Sequence, residues 1–123
     1  MNEIVQQAAR GAAERLAPEY GERLRADVEA ALHSGDGVTR HERYDPVAIG
    51  GLIVSVATLA WTIYQDHRKK HDERPPVQVV IRTVRIELGD GGVPRQVDAE
   101  QRDRIIQAVV EETVRGLDDE PER

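Results

Sequence analysis

Two histidines four residues apart, His67 and His71, are the pair in this chain whose type and spacing come nearest to a chemical site. Positions i and i+4 of a helix share one face, so the two rings, flanked by Asp66 and Asp72, have the spacing to seat a metal ion. Their neighbours argue against it. A zinc-protease motif needs Glu directly after the first His, where Arg68 stands, and Arg68, Lys69 and Lys70 repel a dication. The segment is expected to be solvated and to hold no metal. GDG at 35–37 and 89–91 lacks both the spaced carboxylates of a calcium loop and the Lys-Ser/Thr ending of a phosphate loop. Both read as turns. Ser34 and Ser55 are the only serines, one in a turn and one in an apolar run, and neither sits in a nucleophile elbow. Glu111 and Glu112 lie on a helix whose other face is apolar, so a solvated face explains them better than an acid–base pair. Cysteine is absent, which excludes disulfides, thiolate catalysis and thiolate-ligated metals. No catalytic constellation results, and the chain reads as non-enzymatic, with no cofactor and no small-molecule substrate.

The elements that would position a site are small. In 123 residues, aromatics make up 3%, with no Phe, one Trp and three Tyr, so the side chains that usually dominate a core or an interface are nearly missing. The net charge of −6 comes from 23 acidic and 17 basic residues, without a basic block long enough to follow a phosphate backbone; nucleic acid is not an expected partner. All but two of the basic residues are Arg, which reads as coding bias in a GC-rich genome rather than as bidentate chemistry. The N-terminal stretch is charged throughout and has no secretory signal pattern.

Helical spacing of Ile4, Val5, Ala8, Ala9, Ala12, Ala13 and Leu16 predicts an Ala-rich helix over 2–16, interrupted at Pro18. A second, from about 18 to 33, has Tyr20, Leu24, Val28, Ala31 and Leu32 on one face. Residues 77–88, VQVVIRTVRIEL, are rich in β-branched side chains and read as a strand, yet Val77, Ile81, Val84 and Leu88 fit a helix face equally well. Asp98 and Gln101 resemble a capping box opening a helix whose apolar face is Ile105, Ile106, Val109, Val110, Val114 and Leu117. The expected fold class is mainly α. An N-terminal helical hairpin (1–45) precedes one long apolar, transmembrane-type helix (46–65) and a charged juxtamembrane linker (66–76). A C-terminal segment (77–117) follows, with an amphipathic helix and either a short β segment or a helix at 77–88, and then a disordered tail (118–123).

The apolar run PVAIGGLIVSVATLAWTIYQ holds no charge in twenty residues. At 1.5 Å per residue it spans about 30 Å, the hydrocarbon thickness of a bilayer. Tyr44 stands before it, and Trp61 and Tyr64 lie near its far end, where amphipathic rings favour the headgroup boundary. These aromatics, with Arg68, Lys69 and Lys70, are the expected membrane-interface anchors. Basic residues outnumber those on the N-terminal side, so the positive-inside rule places the C-terminal segment in the cytoplasm of a single-pass cell-membrane protein. Ala48, Gly51, Ser55, Thr58 and Thr62 recur at steps of three and four, a small-residue stripe suited to helix–helix contact in a homo-oligomer or with a partner helix. The alternative is a helix buried inside an assembly of protein. Ile105, Ile106, Val109, Val110 and Leu117 are the expected face for a cytoplasmic partner.

The order YDPVAIGGLIVSVATLAWTIYQDHRKK, then a β-branched segment, a GDGG turn and RDRIIQAVVEETVRGL, is similar to small uncharacterised actinobacterial single-helix membrane proteins. It also loosely resembles the effector-associated constant components of bacterial NTP-dependent conflict systems, over roughly residues 44–117. The helical first 45 residues depart from the usual opening of those components. The resemblance implies an adaptor that couples a sensor or NTPase to an effector, with no functional residues to carry over. Beside it stand two rival readings from the residues themselves: a membrane-perturbing effector whose oligomerised helices open a pore, and an adaptor that buries the run against another subunit.

Overall fold

A computed structural model of the protein describes residues 3–33, 48–71, 73–89 and 97–119. The described residues form five α-helices: α1 Glu3–Tyr20, α2 Arg23–His33, α3 Ala48–His71, α4 Val77–Leu88 and α5 Ala99–Asp119. Among the described residues there is no strand. The mainly α class therefore holds, and the N-terminal hairpin is present as α1 packed on α2.

Pro18 does not interrupt α1. Its missing N–H removes one bond near the end of the helix, and its ring is exposed, so the helix carries on to Tyr20. The chain turns at Gly21, whose φ of +97° suits a residue without a side chain, and the Gly21 N–H closes on the Ala17 carbonyl at 2.6 Å. The inner side of α1 is largely alanine: Ala8, Ala9, Ala12, Ala13 and Ala17 are buried with Val5 and Leu16. Such a flat surface lets α5 come close, and a Cβ on Gly11 would stand 2.6 Å from Oε1 of Glu112.

Residues 77–88 form a helix, not a strand. A strand needs a neighbouring strand for its backbone groups, whereas one turn of helix satisfies them locally and turns Val80, Ile81 and Val84 together into the core. Pro76 supplies the first carbonyl, to the N–H groups of Val79 and Val80, and Gly89 (φ +62°) ends the helix by donating to Arg85 at 3.1 Å. The capping box at α5 is formed in both directions. Asp98 Oδ1 accepts from the Gln101 N–H at 2.8 Å, and Gln101 Oε1 accepts from the Asp98 N–H at 3.0 Å.

α3 touches all four other helices. Leu52, Ile53, Val54, Val56, Ala57, Ala60 and Tyr64 are buried, so the expected membrane helix is the central helix of a bundle. Among the described residues no helix is long and apolar enough to cross a membrane. The physical reason lies in composition: Gly, Ser and Thr dilute the run, and the helix continues through the polar Asp66–His71. The expected linker at 66–76 is thus helical to His71, and the expected tail begins inside α5, which reaches Asp119.

Arginines stitch the helices together, against the expectation that they reflect coding bias alone. Arg10 meets Glu29 through two nitrogens at 2.6 and 3.2 Å, joining α1 to α2. Arg25 Nε lies 3.0 Å from Glu14, Arg15 pairs with Glu111 at 2.9 Å, Arg104 grips both carboxylate oxygens of Glu19, and Arg85 reaches Asp103 at 3.2 Å. Each exposed pair contributes only about 0.2–1 kcal/mol, but they favour one arrangement of helices over its alternatives.

Candidate docking face

The residues expected to form a helix–helix contact lie on the side of α3 away from its packed core. At about 100° per residue, Gly51, Ser55, Thr58 and Thr62 fall on one line along α3, opposite the buried Ile53, Val56 and Ala60. Thr58 and Thr62 are exposed, while Gly51 and Ser55 are half-buried. Leu59 and Trp61, both half-buried, stand on either side as rims. Among the described residues a Cβ on Gly51 would meet nothing within 4 Å. Thr58 satisfies its hydroxyl within the helix by donating to the Val54 carbonyl at 3.0 Å, which leaves its methyl outward. The result is a shallow, uncharged strip two to three turns long on the central helix. Ala48 opens α3, with its side chain outside the described atoms.

Close helix contact is made at a different glycine. A Cβ on Gly50 would lie 2.7 Å from the backbone carbon and oxygen of Asp27 and 2.9 Å from the Val28 nitrogen, so α3 and α2 meet backbone to backbone there. Sequence spacing missed it because Gly50 is off the stripe. The pattern GG holds both options, and only the neighbouring helix distinguishes them.

The remaining expected site residues are dispersed. Tyr44 lies outside the described residues. Tyr64, expected at a lipid headgroup boundary, is 1% exposed and donates its hydroxyl to Asp118 at 3.0 Å, tying α3 to the end of α5. Arg74 comes within 3.7 Å of the same carboxylate oxygen. Arg68 and Lys69 are exposed, and Lys70 sits 3.6 Å from Asp66 one turn back. Ile105, Ile106, Val109, Val110 and Leu117, expected to face a partner, are all buried. This face is internal because α5 spends it on the core it shares with α1, α3 and α4.

Chemistry does not gather elsewhere. The His67 and His71 rings are 4.5 Å apart and tilted by 40°, with Nε2 of His67 buried and lacking a hydrogen-bond partner. No group of three metal-capable side chains occurs among the described residues. Carboxylates with altered acidity belong to ion pairs. Arg104 holds Glu19 below the usual carboxylate range, Arg10 does the same for Glu29, and Glu111 is lowered first by the Gln107 amide and then by Arg15. Burial raises the Tyr20 phenol, and the neighbouring Glu19 carboxylate pushes it the same way. These are ties between helices, not a poised acid and base.

No protein family, curated protein or solved structure matches this chain.

Proposed function

We propose that this protein is a non-enzymatic interaction module, an adaptor that receives a partner helix along the open stripe of α3. The observation that supports the reading is the contrast between the two sides of one helix. Its inner side is packed by four neighbours, and its outer side is left small, uncharged and partly exposed from Gly51 to Thr62. A surface of small residues lets a second backbone approach closely and leaves hydroxyls to bond across the contact. The accessory role implied by the resemblance to conflict-system components agrees with this reading.

A photo-crosslinking residue at Thr62, introduced in the native host, should give a discrete adduct with another polypeptide, and one at exposed Ala26 should not. Gly51→Leu fills the stripe where space is open, so it should erase the adduct without lowering the melting temperature. An adduct indifferent to Gly51→Leu would count against docking on this face.

A second reading is favoured by the absence of charge from 46 to 65 and by the basic group Arg68, Lys69 and Lys70. Here the bundle opens and the run enters the cell membrane, with the C-terminal segment in the cytoplasm, as an anchor or as part of an oligomeric pore. Retention in the pellet after carbonate extraction would favour that state, and dye leakage from liposomes would separate the pore from the anchor.

A further inference from the structure

Among the described residues, the two large hydrophobic side chains most open to solvent lie on one helix: Val79 at 36% and Ile86 at 70% exposure, both on α4. With Val80, Ile81 and Val84 directed inward, the helical period places Val79, Arg82 and Ile86 within about 60° of one another around the opposite pole. The pole is two turns long. Its centre is occupied by Arg82, which is exposed and forms no ion pair or hydrogen bond among the described residues, unlike Arg85 on the same helix, which is held by Asp103. Among the described residues α4 packs chiefly on α3 and α5, and this pole lies opposite the side that meets them.

We infer that the outer pole of α4 binds an acidic amphipathic segment of another protein, with apolar anchors on Val79 and Ile86 and a carboxylate on Arg82. Charge selects this occupant. A second copy of the chain, paired about a two-fold axis on this face, would bring the two Arg82 guanidinium groups together at its centre. An anionic bilayer would gain only two inserted side chains, Val79 and Ile86, on this face. A carboxylate on a helical or extended segment meets Arg82 in a two-pronged contact, and its apolar neighbours cover the flanking residues. The surface is separate from the α3 stripe and does not depend on its use.

The test is selection from a displayed library of random 16-residue peptides against the full-length chain. Enriched sequences should combine apolar anchors at helical or alternating spacing with Asp or Glu. Arg82→Glu should weaken a selected peptide by about tenfold or more and, panned afresh, enrich Lys and Arg instead. Ile86→Ser should remove binding, and Arg82→Met should lose the preference for acid while keeping the melting temperature. Enrichment of neutral or basic peptides, indifference to Arg82→Glu, or no enrichment would overturn the assignment. So would Ile86-dependent dimerisation in sedimentation, or Arg82-dependent pelleting with phosphatidylserine vesicles. The Thr62 crosslink should persist in every α4 variant, so failure here leaves the α3 reading standing and the reverse also holds.

Discussion

Adjacent glycines in α3 have opposite roles, and one methyl group distinguishes them. Gly50→Ala drives a Cβ into the Asp27 and Val28 backbone, which cannot rotate aside, so stability should fall by about 1–3 kcal/mol. Gly51→Ala meets nothing and removes glycine's backbone freedom, so it should gain about 1 kcal/mol. Urea denaturation of the two variants reads both signs. Acid should also weaken the fold through its ion pairs. The folded values of Glu19, Glu29 and Glu111 are lowered from an unfolded value of about 4.3, so their contribution is complete above that pH and is lost as pH falls through the depressed values. Urea midpoints should therefore drop modestly below about pH 4, and Arg104→Ala should make the drop shallower by removing one such carboxylate's partner.

Individual helices were legible where periodicity and caps agree. Asp98 and Gln101 announced α5, and Asp98→Ala should cost about 1 kcal/mol and speed amide exchange in its first turn. α4 was ambiguous because its β-branched content favours a strand while its inward residues Val80, Ile81 and Val84 obey a helical period. Thr83 shows how the helix tolerates such residues, its hydroxyl bonding to the Val79 carbonyl at 2.8 Å. α3 misled for a subtler reason. Its outward side is built from Gly, Ser and Thr rather than charged residues, so an amphipathic helix looked uniformly apolar along its length. Spacing alone found the stripe Gly51–Ser55–Thr58–Thr62, but not whether lipid, solvent or protein faces it. Which apolar face of α5 stays free was equally invisible, because covering it depends on helices distant in sequence.

At the scale of the molecule, the core among the described residues is made chiefly of Val, Ala and Leu, with Tyr64 its one aromatic. Ile53 is 0% exposed at the centre of α3, and Ile53→Ala should cost about 2–5 kcal/mol in aqueous buffer without lipid or detergent. A far smaller loss would mean that this side chain is not enclosed by protein. Arg15 on α1 reaches Glu111 on α5, and Arg104 on α5 reaches back to Glu19 on α1. The first helix and the last are therefore mutually dependent. During translation α3 is complete before α5 is made, and the 48 residues from Asp72 to Asp119 (119 − 71) take about 2–10 s to add at ordinary elongation rates. Until α5 can dock, the side of α3 that it covers has no partner, so folding competes there with capture by a chaperone or an insertase.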